Sequence, residues 1–168
     1  MEDKHIYALA QYDLDTQRRL NDLYQVLINH GFIGTQTTGI PHHITLGKFD
    51  VAQEAAVVRR VREAAGAARA FSLRLAYLGL FGLNVLFIAP AVKQELLLLR
   101  HAVAPEGSTA DAFPWAAHTT LLMDEPEAIL RAIPVAAEHF MPFRATIESL
   151  GVYEFFPERK IGEYPLRA

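Results

Sequence analysis

Cysteine is absent from this 168-residue chain, which removes disulfide frameworks, thiolate zinc sites, iron–sulfur clusters and thiol nucleophiles together. Positive charge is scarce as well: 16 Lys and Arg against 19 Asp and Glu leave a formal net charge of −3 and a pI near 6.1. Proteins that coat nucleic acid without regard to sequence rely on counterion release by many cations, so extensive non-specific binding is excluded, whereas a single nucleotide or strand end is not. Low-complexity tracts and obvious linkers are missing too. The opening MEDKHIYALAQYD is acidic, has only a short apolar stretch and lacks a cleavage-site pattern, so it does not read as a secretion signal. A cytoplasmic location is expected. One apolar run, residues 75–92, reaches the lower length of a membrane span. It is entered on a period-two alternation, Phe71, Leu73, Leu75 and Tyr77 against Ser72, Arg74 and Ala76, and Gly79, Gly82 and Pro90 weaken any single long helix. Two buried strands joined near residues 82–84 are expected instead, with no membrane partner.

What is present is ordinary globular composition, 51% apolar, 21% charged and 10% aromatic. A chain of this length buries roughly two-thirds of its unfolded surface, enough for a core without metal or disulfide staples. Residues 5–11 read as a strand. Asp13 can cap a helix whose apolar positions Leu20, Leu23, Tyr24 and Leu27 fall at helical spacing, with Gly31 placed to stop it. After an irregular GFIGTQTTGIP comes HHITLGKF as a second strand. Asp50 and Gln53 form a capping-box start for a helix reaching about Ala68, and a third strand begins at Phe71. The second half runs through the same order: NVLFIAPA as strand, VKQELLLLRHAV as helix with residues 96–99 as its core, an irregular APEGSTADAFPW, then AAHTTLL as strand. Asp124 and Pro126 open a further helix that Pro134 is expected to interrupt or restart. Strand pattern returns over residues 144–156 and 161–166. The fold class is therefore α+β, a single bilobal domain over residues 1–168, with lobe 1 at about 1–82, lobe 2 at about 83–168 and scope for strand exchange between them. A cleft between such lobes is a natural ligand site.

Each half carries one His-x-Thr-apolar tetrad on its middle strand, His43-Ile44-Thr45-Leu46 and His118-Thr119-Thr120-Leu121. Two such matches among seven histidines arise by accident at a level of about 0.03. Strand alternation points His and Thr two apart to the same face, so each half offers an imidazole and a hydroxyl side by side. Histidine titrates near neutrality, and one copy can act as base while the other acts as acid. Two imidazoles on opposite sides of one phosphorus suit in-line displacement. The short threonine hydroxyls would donate to the non-bridging oxygens, where transition-state charge collects. This chemistry calls for no metal or other cofactor.

At these residues the sequence resembles the 2H phosphoesterase superfamily, which includes bacterial 2′-5′ RNA ligase-like proteins and 2′,3′-cyclic phosphodiesterases and is defined by two His-x-Ser/Thr-apolar motifs. FSLRLAYLGLFGLNVLFIAPA also looks like that family's strand–turn–strand between lobes. The resemblance implies pseudo-twofold-related lobes, antiparallel-rich sheets lining a central cleft with helices outside, His43 and His118 facing across it, and Thr45 and Thr120 binding phosphate. It further implies hydrolysis of cyclic phosphodiesters, or ligation in reverse, without cofactor. Two departures weaken an RNA end as substrate: many members carry a basic residue where this chain has Met123, and a lysine where it has Gly47.

The expected activity is thus metal-independent hydrolysis of a cyclic phosphate or phosphodiester of a nucleotide or RNA terminus. The alternatives are a non-catalytic nucleotide-binding module and an RNA 2′-5′ ligase or tRNA-processing activity. The expected partner is a small cyclic nucleotide or RNA-end substrate, bound by a monomer. Tyr7, Trp115 and Tyr153 are further candidates for lining the substrate, as are the loops at residues 31–41 and 105–114. Alternation sends His42 and Lys48 away from the face of His43. A metal site built from His42 and His43 fails because adjacent strand residues diverge.

Overall fold

Twelve elements of the computed structural model alternate in a regular order, described over residues 4–106, 113–156 and 158–168. Strand β1 (His5–Tyr12) leads to helix α1 (Leu14–Asn29), strand β2 (His43–Asp50), helix α2 (Glu54–Ala67) and strand β3 (Phe71–Phe81). The order then repeats as β4 (Val85–Ala91), α3 (Gln94–Val103), β5 (Thr119–Met123), α4 (Pro126–His139) and β6 (Phe143–Phe155), with β7 (Arg159–Pro165) added at the end. Every ladder between these strands is antiparallel.

Local signals explain most boundaries. The Asp13 carboxylate accepts from the Thr16 amide at 3.0 Å and starts α1, whose buried stripe is Thr16, Leu20, Leu23 and Leu27. Gly31, at φ +88, follows its last turn, as a left-handed C-terminal residue should. Asp50 and Gln53 close a full capping box on a short 3₁₀ turn over Val51–Gln53 that runs into α2. The apolar run resolves into the β3–β4 hairpin, turning over residues 82–84.

Three expectations are corrected. Helix α4 passes through Pro134 without a break. Pro134 and Leu130, the residue whose carbonyl loses its partner, are both exposed, so water can serve that carbonyl on the outer face. Of residues 96–99 in α3 only Leu96 and Leu99 are buried, while Leu97 and Leu98 face solvent, because one helical face reaches the core. Tyr77 is 64% exposed rather than aligned with Leu73 and Leu75, since the register shifts between Leu75 and Tyr77 and inverts the alternation.

The sheet order is β2-β1-β6-β3-β4-β5, with β7 paired to β6. It reads as two trios, β2-β1-β6 and β5-β4-β3, and the third strand of each chain half lies in the other half's trio. Helix α1 packs against α4 and α2 against α3. The outermost strands β2 and β5 nevertheless touch, so the sheet curls until its two ends face each other without closing. Both motifs lie at this gap.

Removing the α1 cap by Asp13→Ala should lower stability by about 1 kcal/mol, whereas Asp13→Asn should retain most of it. Urea unfolding of the three proteins checks this; an equal loss in both variants would contradict the capping role.

Candidate active site

His43 opens β2 and His118 directly precedes β5. Both rings are partly buried and both are tied in the same way: Nδ1 lies 2.8 Å from the Pro41 carbonyl in His43 and 2.7 Å from the Ala116 carbonyl in His118. A carbonyl only accepts, so in each ring Nδ1 carries the proton and donates, leaving Nε2 of the neutral form as the basic nitrogen. Burial pushes both imidazoles below their ordinary value of 6.5, and the charge of His118 pushes His43 down further. The two rings therefore sense each other across the gap.

The motif strands are fastened directly. The Thr119 hydroxyl donates to the His43 carbonyl at 3.1 Å, and the buried Tyr12 hydroxyl lies 2.6 Å from Thr119 Oγ1. Since the threonine proton is engaged by the carbonyl, Tyr12 is the donor of the second bond. Its own proton is firmly held, because burial raises the phenol well above its usual range. The Trp115 indole N–H donates to the Thr45 carbonyl at 2.9 Å, so a residue ahead of the second motif holds the strand of the first.

Two cavities flank this junction. One, of about 260 Å³, is lined by His43 and Thr120 together with Thr119, His42, Asn21, Tyr24, Phe155, Met123 and residues 36–41. The other, of about 330 Å³, takes His118 and Thr45 with Tyr7, Gly47, Lys48, Phe81, residues 113–116 and Met123. Each imidazole thus shares its cavity with the hydroxyl of the other motif. Two residues along a strand separate by roughly 7 Å, and the facing strand supplies the second group. Met123 lines both cavities and a third, of about 460 Å³, with Tyr7, Thr35, Gln36, Thr37, Phe155 and Phe156.

Of the further candidates, Tyr7 lies on two of these walls and stacks on Phe155 at 4.6 Å between centroids. Trp115 lines the His118 cavity, with Arg100 5.0 Å over its ring. Tyr153 is not brought to the histidines: it is buried among Leu9 and Phe155 and faces a separate cavity with Gln11, Lys160 and Glu163. Of the two loops, residues 36–41 line the His43 cavity and residues 113–114 the His118 cavity, while residues 107–112 lie outside the described residues.

Alternation misplaced two residues. His42 precedes β2, where no pleat constrains it, and it lines the same cavity as His43; its Nε2 donates to Asn21 Oδ1 at 2.9 Å and its ring meets Tyr24 edge-on. Lys48 lines the His118 cavity because β2 is bulged: Leu9 pairs with Thr45 and Ala8 with Gly47, leaving Leu46 over. The same irregularity recurs in β5, where Phe87 pairs with Thr120 and Leu86 with Leu122, leaving Leu121 over. Sequence reading also missed Tyr12, which carries no motif, and the rings of Phe81 and Phe87 at 4.7 and 5.2 Å from His118. Among the described residues no three His, Asp or Glu side chains gather as ligands for an ion, and no helix is long and apolar enough to cross a membrane.

A family model described as the 2′-5′ RNA ligase superfamily matches residues 29–155, which include both motifs and the segment between them. The chain belongs to this superfamily. The 2H phosphoesterase resemblance read from the two tetrads is thereby correct. Solved structures share the fold of this superfamily member: apo LigT of E. coli, 13% identical with both chains fully covered, superposes with a TM-score of 0.67. TT0787 of Thermus thermophilus, 14% identical over 98% of each chain, gives 0.68. E. coli LigT in complex with 3′-AMP, 15% identical over 99% of this chain and 100% of that one, gives 0.65. At such identities the likeness is one of fold. Among curated proteins none matches the chain in sequence.

Three histidines of this superfamily member, His42, His43 and His118, are held below 6.5, His42 at about 4 by burial and by the charge of His43. Between the folded and unfolded values the unfolded chain binds more protons, so stability is fully present above pH 6.5 and falls as acid drives each ring through its folded value. Urea midpoints measured from pH 7 down to pH 4 should decline, and His42→Asn should flatten that decline relative to the parent. An unchanged slope in the variant would refute the assignment to His42.

Proposed function

We propose that the protein is a metal-independent phosphoesterase that opens a cyclic phosphate or phosphodiester of a nucleotide or RNA terminus, with His43 and His118 as the acid–base pair. One observation carries this reading: two imidazoles, each with Nδ1 anchored to a backbone carbonyl two residues earlier, meet at adjoining cavities where one feels the charge of the other. The family supports it, and so does the 3′-AMP found in the LigT complex.

Protonating one imidazole disfavours protonating the other, so the pair takes up its two protons in separate steps, and the reactive form carries one proton, on His118, with His43 neutral. His43 Nε2 then accepts a proton from the attacking water as its oxygen bonds to phosphorus. The bond from phosphorus to one ribose oxygen breaks, and His118 gives its proton to that leaving alkoxide. The product is a phosphate monoester; His43 ends protonated and His118 neutral, and exchange with solvent resets both. Thr45 and Thr120 donate to the non-bridging oxygens. Ligation is the same sequence with a hydroxyl of a second strand in place of the water: its oxygen bonds to phosphorus as His43 takes its proton, one ring P–O bond breaks, and His118 protonates the departing ribose oxygen. The negative net charge favours hydrolysis of small substrates over a role that needs tight RNA binding.

Incubated with 2′,3′-cyclic nucleotides in EDTA, the parent should release monophosphate, and His43→Ala or His118→Ala should each lose roughly 10²–10⁴-fold in turnover. The pH profile of kcat/KM should be a bell that rises as His43 loses its proton and falls as His118 does. Because both groups sit below 6.5, its maximum should lie on the acid side of that value. Undiminished turnover in both variants would sink the assignment. Nucleotide binding and thermal protection without any product would favour a non-catalytic binding module.

A further inference from the structure

The two motif strands are built alike but furnished differently. Each carries its bulge at the leucine after the threonine, Leu46 in β2 and Leu121 in β5. A bulge inverts the alternation beyond it, so the residue three after each threonine returns to the cleft: Lys48 in the first motif and Met123 in the second, both of which line the His118 cavity. The residue between bulge and lysine, Gly47, turns inward, where a Cβ would stand 2.5 Å from the Phe49 ring and 3.2 Å from the Ala104 methyl. A charged side chain has no room at position 47, and the cation of this strand is delivered one residue later.

Of the described residues lining the three adjoining cavities, Lys48 alone carries an ammonium or guanidinium group. The His118 cavity thus combines a cation with the Phe81, Phe113 and Trp115 rings, while the His43 cavity offers hydroxyls and amides from Thr37, Thr38, Asn21 and Gln36. Counting the bulge as one step, Lys48 stands roughly 7 Å beyond Thr45 along β2. That displacement separates an anion at Lys48 from a phosphorus held by Thr45, Thr120 and the two imidazoles. An anionic group of the substrate that meets the lysine is therefore a different group from the reacting phosphate.

We propose that Lys48 is a specificity residue that holds a second phosphate of the substrate at the His118 end of the cleft, which selects nucleotides bearing a 5′-phosphate in addition to the reacting 2′,3′-cyclic phosphate. This rests on the phosphoesterase reading for the position of the reacting group. It fixes substrate orientation: the 5′-phosphate lies toward Lys48 and the aromatic rings, and the reacting phosphate between the histidines.

Equilibrium binding of two ligands that are not turned over, a nucleoside 3′-monophosphate and the matching 3′,5′-bisphosphate, tests it independently of catalysis. The parent should bind the bisphosphate about 10-fold more tightly, as a charge-assisted contact would give. Lys48→Met should bring the two ligands to within about twofold by weakening only the bisphosphate, and Lys48→Arg should keep most of the preference. Equal binding of both ligands by the parent, a preference that survives Lys48→Met, or an equal loss on both ligands in that variant would each overturn the proposal. A protein that shows the lysine-dependent preference yet opens no cyclic phosphate would fail the hydrolytic reading alone.

Discussion

An unclosed sheet whose two end strands must be satisfied without pairing is the constraint on which this architecture turns. Strands β2 and β5 are the ends of the order β2-β1-β6-β3-β4-β5, and an end strand exposes a row of unpaired amides and carbonyls. Here the row is met by groups from the opposite half. Thr119 Oγ1 and the Trp115 indole donate to the carbonyls of His43 and Thr45 on β2. On β5, the Met123 amide donates to Gln36 Oε1 and its carbonyl accepts from the Thr35 amide. Gly34, at φ +74, allows the approach: a Cβ there would come within 2.7 Å of the Met123 carbonyl. Side-chain and loop bonds hold the strands together yet leave the space that a continuous ladder would fill. The cleft is that space.

The motif strands also fix how each imidazole is held. Each imidazole sits at a strand end, held in one tautomer by a carbonyl of the approaching loop. Neither needs a carboxylate partner to fix its tautomer, so the anchoring device places no negative charge beside either ring. The cost falls on basicity, because both rings are partly desolvated and each penalises protonation of its neighbour. The Phe81 and Phe87 rings add apolar surface beside His118 alone. Two residues of one type, on related strands, are thus both lowered in basicity, and the pair loses its protons in separate steps.

How much of this was legible in the sequence depended on the range of the physics involved. Helix caps at Asp13 and Asp50 and the hairpin over residues 82–84 are local or periodic, and they hold in the structure. Alternation failed wherever the register shifted, and a bulge is decided by the partner strand rather than by the strand's own residues. Lys48 and Tyr77 were misplaced for that one reason, at Leu46 and between Leu75 and Tyr77. Pro134 misled because the penalty of a mid-helix proline depends on whether water can reach the freed carbonyl. Tyr153 and His42 needed knowledge of which elements pack together. Tyr12 could not be found at all, since its importance lies in a hydroxyl 107 residues away in sequence from its partner Thr119.

A scaffold with two equivalent motifs faces a problem of direction. In the proposed reaction, a phosphate between two histidines and two threonines would present much the same surface from either side, so the four residues alone would not determine which ribose oxygen departs. Direction would have to come from groups that break the equivalence, and those are residues outside the tetrads: Lys48 on one side, Thr37, Thr38, Asn21 and Gln36 on the other. The bulges make this economical. By turning the residue three beyond each threonine into the cleft, they create a matched pair of positions that can be filled independently, and here one holds Lys48 and the other Met123. The shared machinery can stay constant while this pair changes, so substrate orientation can evolve in the fold without disturbing either imidazole or the bonds that hold β2 to β5.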